Sequence, residues 1–183
     1  MKKAIAIALI CLTVFSAAFA GGKKEAKVDN SLEELKARGE FVLGLDDSFP
    51  PLGFRDDNNN IVGYDIDLAR EVCKRLGVTL RCQPIDWAAK EQELNTGNID
   101  CIWNGFTMTP ERKEALSFTE AYLDNAQVVI VRGDSGYKTL ADLAGKTVGL
   151  QAGSSAADAL YASDFSGTIK DVVEFKDNMT ALM

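Results

Sequence analysis

GYDIDLAREVCKRLG, residues 63–77, is the stretch of sequence that decides the fold of this chain. Its apolar residues recur at the spacing of one face of an α-helix and are Ile66, Leu68, Ala69, Val72, Cys73 and Leu76. Acidic residues lie near the start of the stretch and basic residues near its end, an order that complements the helix dipole. Gly77 suits the left-handed position that follows a helix. We therefore predict a helix over residues 65–76.

Short apolar runs on both sides of this helix are typical of buried strands. The predicted strands are residues 41–45, 78–85, 99–103, 127–131, 147–150 and 171–175. Helical patterns separate most of them, including one from Trp87 to about Asn95 and one that begins at Pro110, with Thr109 as its N-cap. Strands that alternate with helices predict parallel sheets covered on both faces, so we expect an α/β fold.

Composition and charge exclude several classes of function. The chain has 183 residues, enough for one large domain or two small lobes. Its formal net charge of −7, without a basic block, argues against nucleic acid as a partner. Histidine is absent, which excludes Ser-His-Asp and Cys-His catalysis and every His-ligated metal site. We expect no metal ion and no cofactor.

The first twenty residues are typical of a secretory signal peptide. Lys2 and Lys3 precede an apolar run, and small residues lead to Ala20, after which we expect cleavage. The run is shorter than the roughly 20 residues that a membrane span needs. Residues 21–30 are polar and Lys-rich and are expected to form a tether. We therefore expect an exported protein, periplasmic or extracellular, and leave open whether it is anchored to a membrane.

Three cysteines lie beyond the predicted signal peptide. Cys73 and Cys82 flank a predicted helix end and the following strand, close enough for a local disulfide, and whether they form one stays open. Cys101 lies in an apolar run and is expected to be a small buried residue.

Ligands of open parallel sheets bind at the C-terminal ends of the strands, and the first candidate segment lies at such an end. Asp46 follows the first strand and is close to Ser48 and Phe49. The alternative is a turn in which the aspartate only caps backbone groups. Phe49 could equally fill the core.

The second candidate segment surrounds Arg112. With Thr109 as N-cap, Arg112 is the third residue of a helix, where a cation opposes the helix dipole by about 0.3–1 kcal/mol. A guanidinium fork matches a carboxylate. Arg112 is therefore expected either to bind an anion or to be neutralised in solvent by Glu111 or Glu114.

Two further features leave alternatives open. Gly153, Ser154 and Ser155 precede a predicted helix, where free N–H groups and hydroxyls form either an anion site or an ordinary N-cap. Trp87 opens another helix, and it either packs in the core or offers an aromatic face to an apolar stem or a cation.

Residues 63–76 resemble the signature of the extracellular solute-binding proteins of polar amino-acid ABC transporters, known as bacterial solute-binding protein family 3. That signature is glycine, aromatic, acid, apolar, acid, apolar, and then, after three residues, apolar and small. The resemblance covers nearly all of residues 32–183 and continues through Phe49-Pro50-Pro51, Ile99-Asp100, Thr107-x-Thr109-x-x-Arg112, Leu143-x-Gly145-Lys146-x-Val148-Gly149 and Gly153-Ser154. It implies a type II periplasmic-binding-protein-like fold, in which two α/β lobes joined by a hinge close on an amino acid.

The resemblance also implies a set of ligand-binding residues. Asp46 matches a residue that contacts the ligand side chain, and Phe49 and Trp87 match aromatic residues that sandwich its stem. Arg112 matches the arginine that pairs with the α-carboxylate. The remaining matches are Asn104, Gly105 and Thr107 in the segment that contacts the α-amino and carboxylate groups, and Ser154 and Ser155 as donors from the second lobe.

The resemblance gives an expected division of the chain. After the signal peptide (1–20) and the tether (21–30) we expect a first lobe at 31–127, a hinge strand at 128–132 and a partial second lobe at 133–183. Family members continue beyond residue 183, so we expect a truncated product or fragment, without the acidic residue that holds the α-ammonium. Truncation would also allow swapping or association of a chain otherwise expected to be a monomer.

The function implied by the resemblance is binding without catalysis. We expect the substrate-binding component of an ABC importer, which takes a polar or cationic amino acid and delivers it to a membrane permease. One alternative is a periplasmic arogenate or prephenate dehydratase on the same scaffold, with Asp46 as acid or base. Another is the ligand-sensing module of a membrane receptor. The identity of the amino acid stays open.

Overall fold

The computed structural model describes residues 29–183, so the predicted signal peptide and residues 21–28 of the predicted tether lie outside the described residues. The α-helices, numbered α1 to α6, are Ser31–Arg38, Tyr64–Leu76, Lys90–Asn95, Pro110–Ala115, Ser155–Tyr161 and Asn178–Leu182. The strands, numbered β1 to β8, are Glu40–Leu45, Ser48–Phe49, Gly53–Arg55, Ile61–Val62, Thr79–Pro84, Cys101–Ile102, Thr147–Gln151 and Asp171–Phe175. Short 3-10 helices are Trp87–Ala89, Leu140–Leu143 and Asp164–Gly167. Across this part of the chain, no helix is both long and apolar enough to cross a bilayer.

The first sheet is parallel and has β1 at its centre, between β5 and β6. Helix α2 contributes Ile66 and Ala69 to the core, where they pack with Leu43 and Leu45 of β1, and all four side chains are fully buried. Burying one such leucine or isoleucine contributes about 1.5–3 kcal/mol. Gly77 follows α2 in the left-handed conformation. The predicted helix and the predicted parallel sheet are therefore confirmed.

A second parallel pair, β7 and β8, lies later in the chain. It has its own apolar cluster, which consists of Leu143, Leu150, Leu160 and Phe165. The sequence predicted both strands and the helix that begins at Ser155. Because each sheet has a separate core, the described chain contains two α/β units of the kind expected for two lobes.

The three short strands β2, β3 and β4 form an antiparallel sheet that the sequence did not predict. The segment between β3 and β4, residues 56–60, is rich in Asp and Asn, which favour turns. In it the Asp56 carboxylate accepts hydrogen bonds from the backbone N–H groups of Asn58 and Asn60. That turn brings β3 and β4 together. The two strands were not predicted because each is too short to show the alternation of apolar and polar residues that is typical of a strand.

The structure has no strand at residues 127–131 or 128–132, so the predicted strand and the strand form of the predicted hinge are wrong. Neither residue range takes part in the sheets of the described chain. Val128 and Ile130 are 74% and 67% exposed. A run of β-branched residues favours a strand only where another strand pairs with it. The hinge function of this segment stays a prediction.

The cysteines of the described chain, Cys73, Cys82 and Cys101, are free thiols. Cys101 is half-buried, less deeply than expected. Burial and the neighbouring charge of Asp100 raise the pKa of its thiol to about 11. A thiol of this kind is protonated at neutral pH and is a poor nucleophile.

Candidate functional site

Arg112 is buried at the start of α4, where the sequence predicted it. The Thr109 hydroxyl caps the helix by accepting a hydrogen bond of 3.3 Å from the Arg112 backbone N–H. The guanidinium donates to the carbonyl oxygens of Thr107 at 3.0 Å and Gly153 at 3.2 Å. It lies 4.5 Å from the centre of the Phe106 ring. Because only 9% of Arg112 is exposed, the alternative of neutralisation in open solvent is wrong.

A second cation, Lys90, lies beside Arg112 and was not predicted as a site residue. It is the first residue of α3 and is only 4% exposed. Its ammonium group donates to the carbonyl oxygens of Trp87 at 3.2 Å and Gly153 at 2.9 Å. The Nζ atom lies 5.3 Å from the Trp87 ring centre and 5.8 Å from that of Phe106. Burial and the charge of Arg112 both lower the pKa of Lys90.

The loop before α5 approaches these two cations very closely. Gly153 has a φ of +67°, and a Cβ atom there would lie 2.9 Å from Cα of Ala88. Glycine is therefore needed at this position both for its backbone conformation and for the short distance to the neighbouring segment. As a result its carbonyl oxygen reaches Lys90 and Arg112.

Hydroxyl groups surround the same region. Ser155 donates from Oγ to the Thr107 hydroxyl at 3.1 Å and accepts from the Gln127 amide at 3.1 Å. Ser154 is the N-cap of α5, where its hydroxyl accepts from the Ala156 backbone N–H at 3.3 Å. It also donates to the Gln151 carbonyl at 2.7 Å. Ser155 and Thr107 thus lie close to each other, while Ser154 has the ordinary capping role that the sequence left as an alternative.

Asp46 lies at the other end of the candidate site, directly after β1. One carboxylate oxygen accepts from the Ser48 backbone N–H at 2.9 Å and hydroxyl at 2.6 Å. The other accepts from the Gln151 side-chain amide at 2.7 Å. Only 7% of Asp46 and 3% of Gln151 is exposed. The aspartate therefore makes the turn contacts foreseen in the alternative interpretation and also contacts the distant strand β7.

A cavity of about 260 Å³ opens beside Asp46. Its lining residues are Asp46, Asp47, Ser48, Pro84, Ile85, Asp86, Trp87, Lys176 and Asp177. The lining residues therefore include four aspartates and one lysine. A concave site with this excess of acid favours a cationic group.

The other predicted site residues do not line this cavity. The Gly105 N–H donates to Asp65 at 2.8 Å, and Asp65 is fully buried and also accepts from the Tyr122 hydroxyl at 2.9 Å. Burial raises the pKa of Asp65, and these hydrogen bonds oppose that shift. The Asn104 side chain is buried, and its amide nitrogen has no hydrogen-bond partner among the described residues. Phe49 is half-buried in β2.

Trp87 has an aromatic neighbour that the sequence analysis did not name as a site residue. Trp87 packs edge-on against Phe106, with ring centres 5.7 Å apart, and Phe106 stacks on Phe118. The sequence analysis therefore missed Phe106, Lys90 and Gln151. A signal for Lys90 was present, because a cation in the first turn of a helix opposes the dipole just as Arg112 does. Gln151 had no signal, since its partner Asp46 is 105 residues away.

Metal binding has no support in the described part of the chain. No group of three or more cysteine or acidic side chains is placed to hold a metal ion there. The arrangement instead has buried cations at one end, carboxylates around a cavity at the other, and the indole of Trp87 in contact with both. Such an arrangement is suited to a ligand with an anionic and a cationic end.

Comparisons with known proteins point to one family. The sequence pattern of the family described as bacterial extracellular solute-binding proteins, family 3, matches residues 41–182. The arginine-binding extracellular protein ArtP of Bacillus subtilis is 33% identical over 115 residues, which is 63% of this chain and 45% of ArtP. The L-cystine-binding protein TcyJ of Escherichia coli is 32% identical over 126 residues, which is 68% of this chain and 47% of TcyJ.

Solved structures agree with these relatives. The substrate-binding protein of an ABC uptake transporter from Streptococcus pneumoniae, crystallised with histidine, superposes with a TM-score of 0.81 at 37% identity. The match covers 85% of this chain and 64% of that structure. The predicted fold class, a periplasmic-binding-protein-like α/β fold with two lobes, is therefore confirmed. The chain spans about half the length of the curated relatives it matches.

Proposed function

Because this chain belongs to the bacterial extracellular solute-binding proteins of family 3, we propose that it is the substrate-binding component of an ABC importer and binds a cationic amino acid. The observation that carries the proposal is the separation of charge within the site. Buried Lys90 and Arg112 lie at one end, and four aspartates line the cavity at the other. An amino acid with a basic side chain has the complementary order of charges.

The α-carboxylate is assigned to the end of the site at Arg112. The guanidinium fork can bind two carboxylate oxygens, and such charge-assisted hydrogen bonds are about twice as strong as neutral ones. In the structure its hydrogen-bond acceptors are neutral carbonyl oxygens, and it also forms an ion pair of 3.8 Å with the partly exposed carboxylate of Glu91. A ligand carboxylate in place of the carbonyl oxygens would add Coulomb energy at closer range. The hydroxyls of Thr107 and Ser155 are 3.1 Å apart and close to this position, where they are additional donors.

The side chain of the ligand is assigned to the cavity beside Asp46. Trp87 lines this cavity and can pack on the apolar stem. Asp46 is buried against a neutral partner, the Gln151 amide, so a guanidinium or ammonium group would be a stronger partner for it. The names of similar proteins support this class of ligand, since they describe proteins that bind arginine, cystine and histidine. Phe49, Asn104, Gly105 and Ser154 are also proposed as ligand-binding residues, as the resemblance implies.

Transport requires the two lobes to move. We assign residues 31–127 to the first lobe, residues 128–132 to the hinge and residues 133–183 to the second lobe, so that Arg112 and Gly153 lie on different lobes. Ligand binding between them shifts the population toward a closed form, because the ligand contacts both lobes only in that form. A membrane permease then takes up the ligand from the closed form outside the cytoplasm.

Catalysis is not needed to account for this arrangement. The relatives compared above are named as binding proteins. If the dehydratase alternative were correct, mixing the chain with prephenate would yield phenylpyruvate, which its absorbance would reveal. We expect no such product.

A thermal-shift screen of the 183-residue chain against the twenty amino acids and cystine tests the proposal. A ligand at a hundred times its Kd stabilises a protein by about 2.7 kcal/mol, which a melting curve detects. We expect arginine and lysine to give the largest shifts and aspartate and glutamate to give none. If no amino acid raises the melting temperature, the proposed function is wrong. If only acidic amino acids do, the assignment of the cavity to a basic side chain is wrong.

A further inference from the structure

We propose that Lys90 is a second carboxylate-binding residue of this site and that it acts together with Arg112 on the same carboxylate of the ligand. The inference rests on the proposed function and adds a residue to it. No feature of the resemblance points to Lys90.

The first argument is the environment of the Lys90 ammonium group. It is buried, and both of its hydrogen bonds go to neutral carbonyl oxygens, those of Trp87 and Gly153. None of the ion pairs between described residues includes Lys90. Neutral acceptors compensate poorly for removing an ammonium group from water. A carboxylate would compensate much better.

The second argument is the position of a shared oxygen atom. The Gly153 carbonyl oxygen lies 2.9 Å from Nζ of Lys90 and 3.2 Å from the guanidinium of Arg112. A carboxylate oxygen at this position would therefore contact both cations at hydrogen-bond distance. The Gly153 carbonyl, which carries only a partial negative charge, marks the position that suits an anionic oxygen.

The third argument is the exclusion of water. The rings of Trp87 and Phe106 lie 5.3 Å and 5.8 Å from Nζ, and a low local dielectric strengthens the interaction of an ammonium with a carboxylate. Arg112 also faces Lys90 and favours its neutral form, whereas the charges of Glu91 and Asp158 favour the ammonium. An added carboxylate between the two cations would relieve their mutual repulsion.

Binding of the carboxylate requires the Gly153 carbonyl to leave. Lys90 and Arg112 lie on the first lobe of the proposed division, and Gly153 lies on the second. Opening of the lobes therefore releases both cations from Gly153 at the same time, and the ligand carboxylate then occupies the position of that oxygen. The ligand carboxylate and the Gly153 carbonyl therefore compete for the same two cations.

The test compares L-arginine with L-argininamide, which lacks the negative charge at the same position. Dissociation constants are measured by calorimetry for wild type, for Lys90→Met and for Lys90→Gln, whose amide can still donate to a carbonyl. We expect both variants to lose about tenfold or more in affinity for arginine, the usual effect of removing a charged hydrogen bond. The affinity for argininamide should change by less than about threefold, since a neutral amide gains little from Lys90.

Two further variants serve as controls. Lys113→Met removes an exposed lysine from α4 and should leave both affinities unchanged, which excludes a general effect of net charge. Lys90→Arg keeps the charge and should retain most of the preference for arginine over its amide. Lys90→Gln decides the outcome if Lys90→Met does not fold.

The outcomes separate this inference from the proposed function. If wild type binds arginine but the Lys90 variants weaken both probes equally, or neither, Lys90 does not bind the carboxylate and only this inference is wrong. If wild type prefers another amino acid, that amino acid and its amide replace the probes, with the same expectations. If wild type binds no amino acid, the proposed function and this inference are both wrong.

Discussion

The two ends of the candidate site differ in packing as well as in charge. Around Arg112 and Lys90 the structure is filled, because two aromatic rings and the Gly153 carbonyl occupy the space next to the cations. Beside Asp46 a cavity of about 260 Å³ stays open. All amino acids share the carboxylate, whereas they differ in the side chain. Under the proposed function, a closely packed end would hold the shared group and an open end would select among the variable side chains.

This comparison also separates affinity from specificity. A change at the filled end should weaken the binding of every amino acid, because each carries the same carboxylate. A change at the open end should weaken only those whose side chain has the complementary charge. The variants below test these two expectations in order of the effect expected.

The largest effect is expected for Arg112→Ala. Removing one partner of a buried charged hydrogen bond costs about 2–5 kcal/mol, so we expect affinity for every ligand found in the screen to fall about thirtyfold or more. Arg112→Lys keeps the charge but loses the planar fork. Its affinity should therefore lie between that of wild type and that of Arg112→Ala. Calorimetric titration of each variant measures the effect.

The control for this prediction is the folded state of the variants without ligand. Arg112 donates to the Thr107 and Gly153 carbonyls, so a small drop in melting temperature is expected for Arg112→Ala. The far-ultraviolet circular dichroism spectrum should stay unchanged. Unaltered affinity in a folded Arg112→Ala variant would contradict the assignment of the carboxylate to this end.

A smaller and more selective effect is expected for Asp46→Asn at the open end. The variant keeps the size of the side chain and removes its charge, so affinity for arginine should fall about tenfold, in line with a charged hydrogen bond worth about 1.5–3 kcal/mol. Binding of a neutral amino acid such as glutamine, if the screen detects it, should change by less than about threefold. Competition titrations with both ligands give the ratio directly.

Asp47→Asn is the matched control, because Asp47 lines the same cavity but already forms an ion pair with Arg55. Partly exposed pairs of this kind contribute about 0–1 kcal/mol. We expect the affinity for arginine to change by less than about threefold. If the two variants behave alike, the charge of the whole cavity rather than Asp46 determines the preference.

The parts of the molecule that the sequence predicted are those that depend on local signals. Helix α2 follows from the helical period of its apolar residues, and strands β1, β7 and β8 follow from short apolar runs. Arg112 was predicted because its position at a helix start is a local signal. Lys90 carried the same signal but was missed, because its partner Gly153 lies 63 residues away. The antiparallel strands β2 to β4 are too short to show a period. Residues 127–131 have the composition of a strand but pair with no other strand, and the lack of a pairing partner cannot be read from the segment itself.

The smallest effect on binding is expected at a buried carboxylate that lies at neither end. Asp65 accepts from Gly105 and Tyr122, so it positions the segment behind the site. Asp65→Asn should change affinity for arginine by less than about threefold. Its effect on the free energy of unfolding should not exceed about 1.5 kcal/mol, the net value of a hydrogen bond.

The pH dependence of that stability gives the sharper test. Burial raises the pKa of Asp65 in the folded state, so its protonated form stabilises the fold fully below the unfolded pKa of about 3.9, and this contribution is lost as pH rises through the raised folded pKa. Asparagine does not titrate. The free energy of unfolding of wild type should therefore fall relative to that of Asp65→Asn as pH rises from about 4 toward neutrality, as urea denaturation at several pH values would show. A difference of the opposite sign at Asp65 would mean that its hydrogen bonds outweigh the cost of burial.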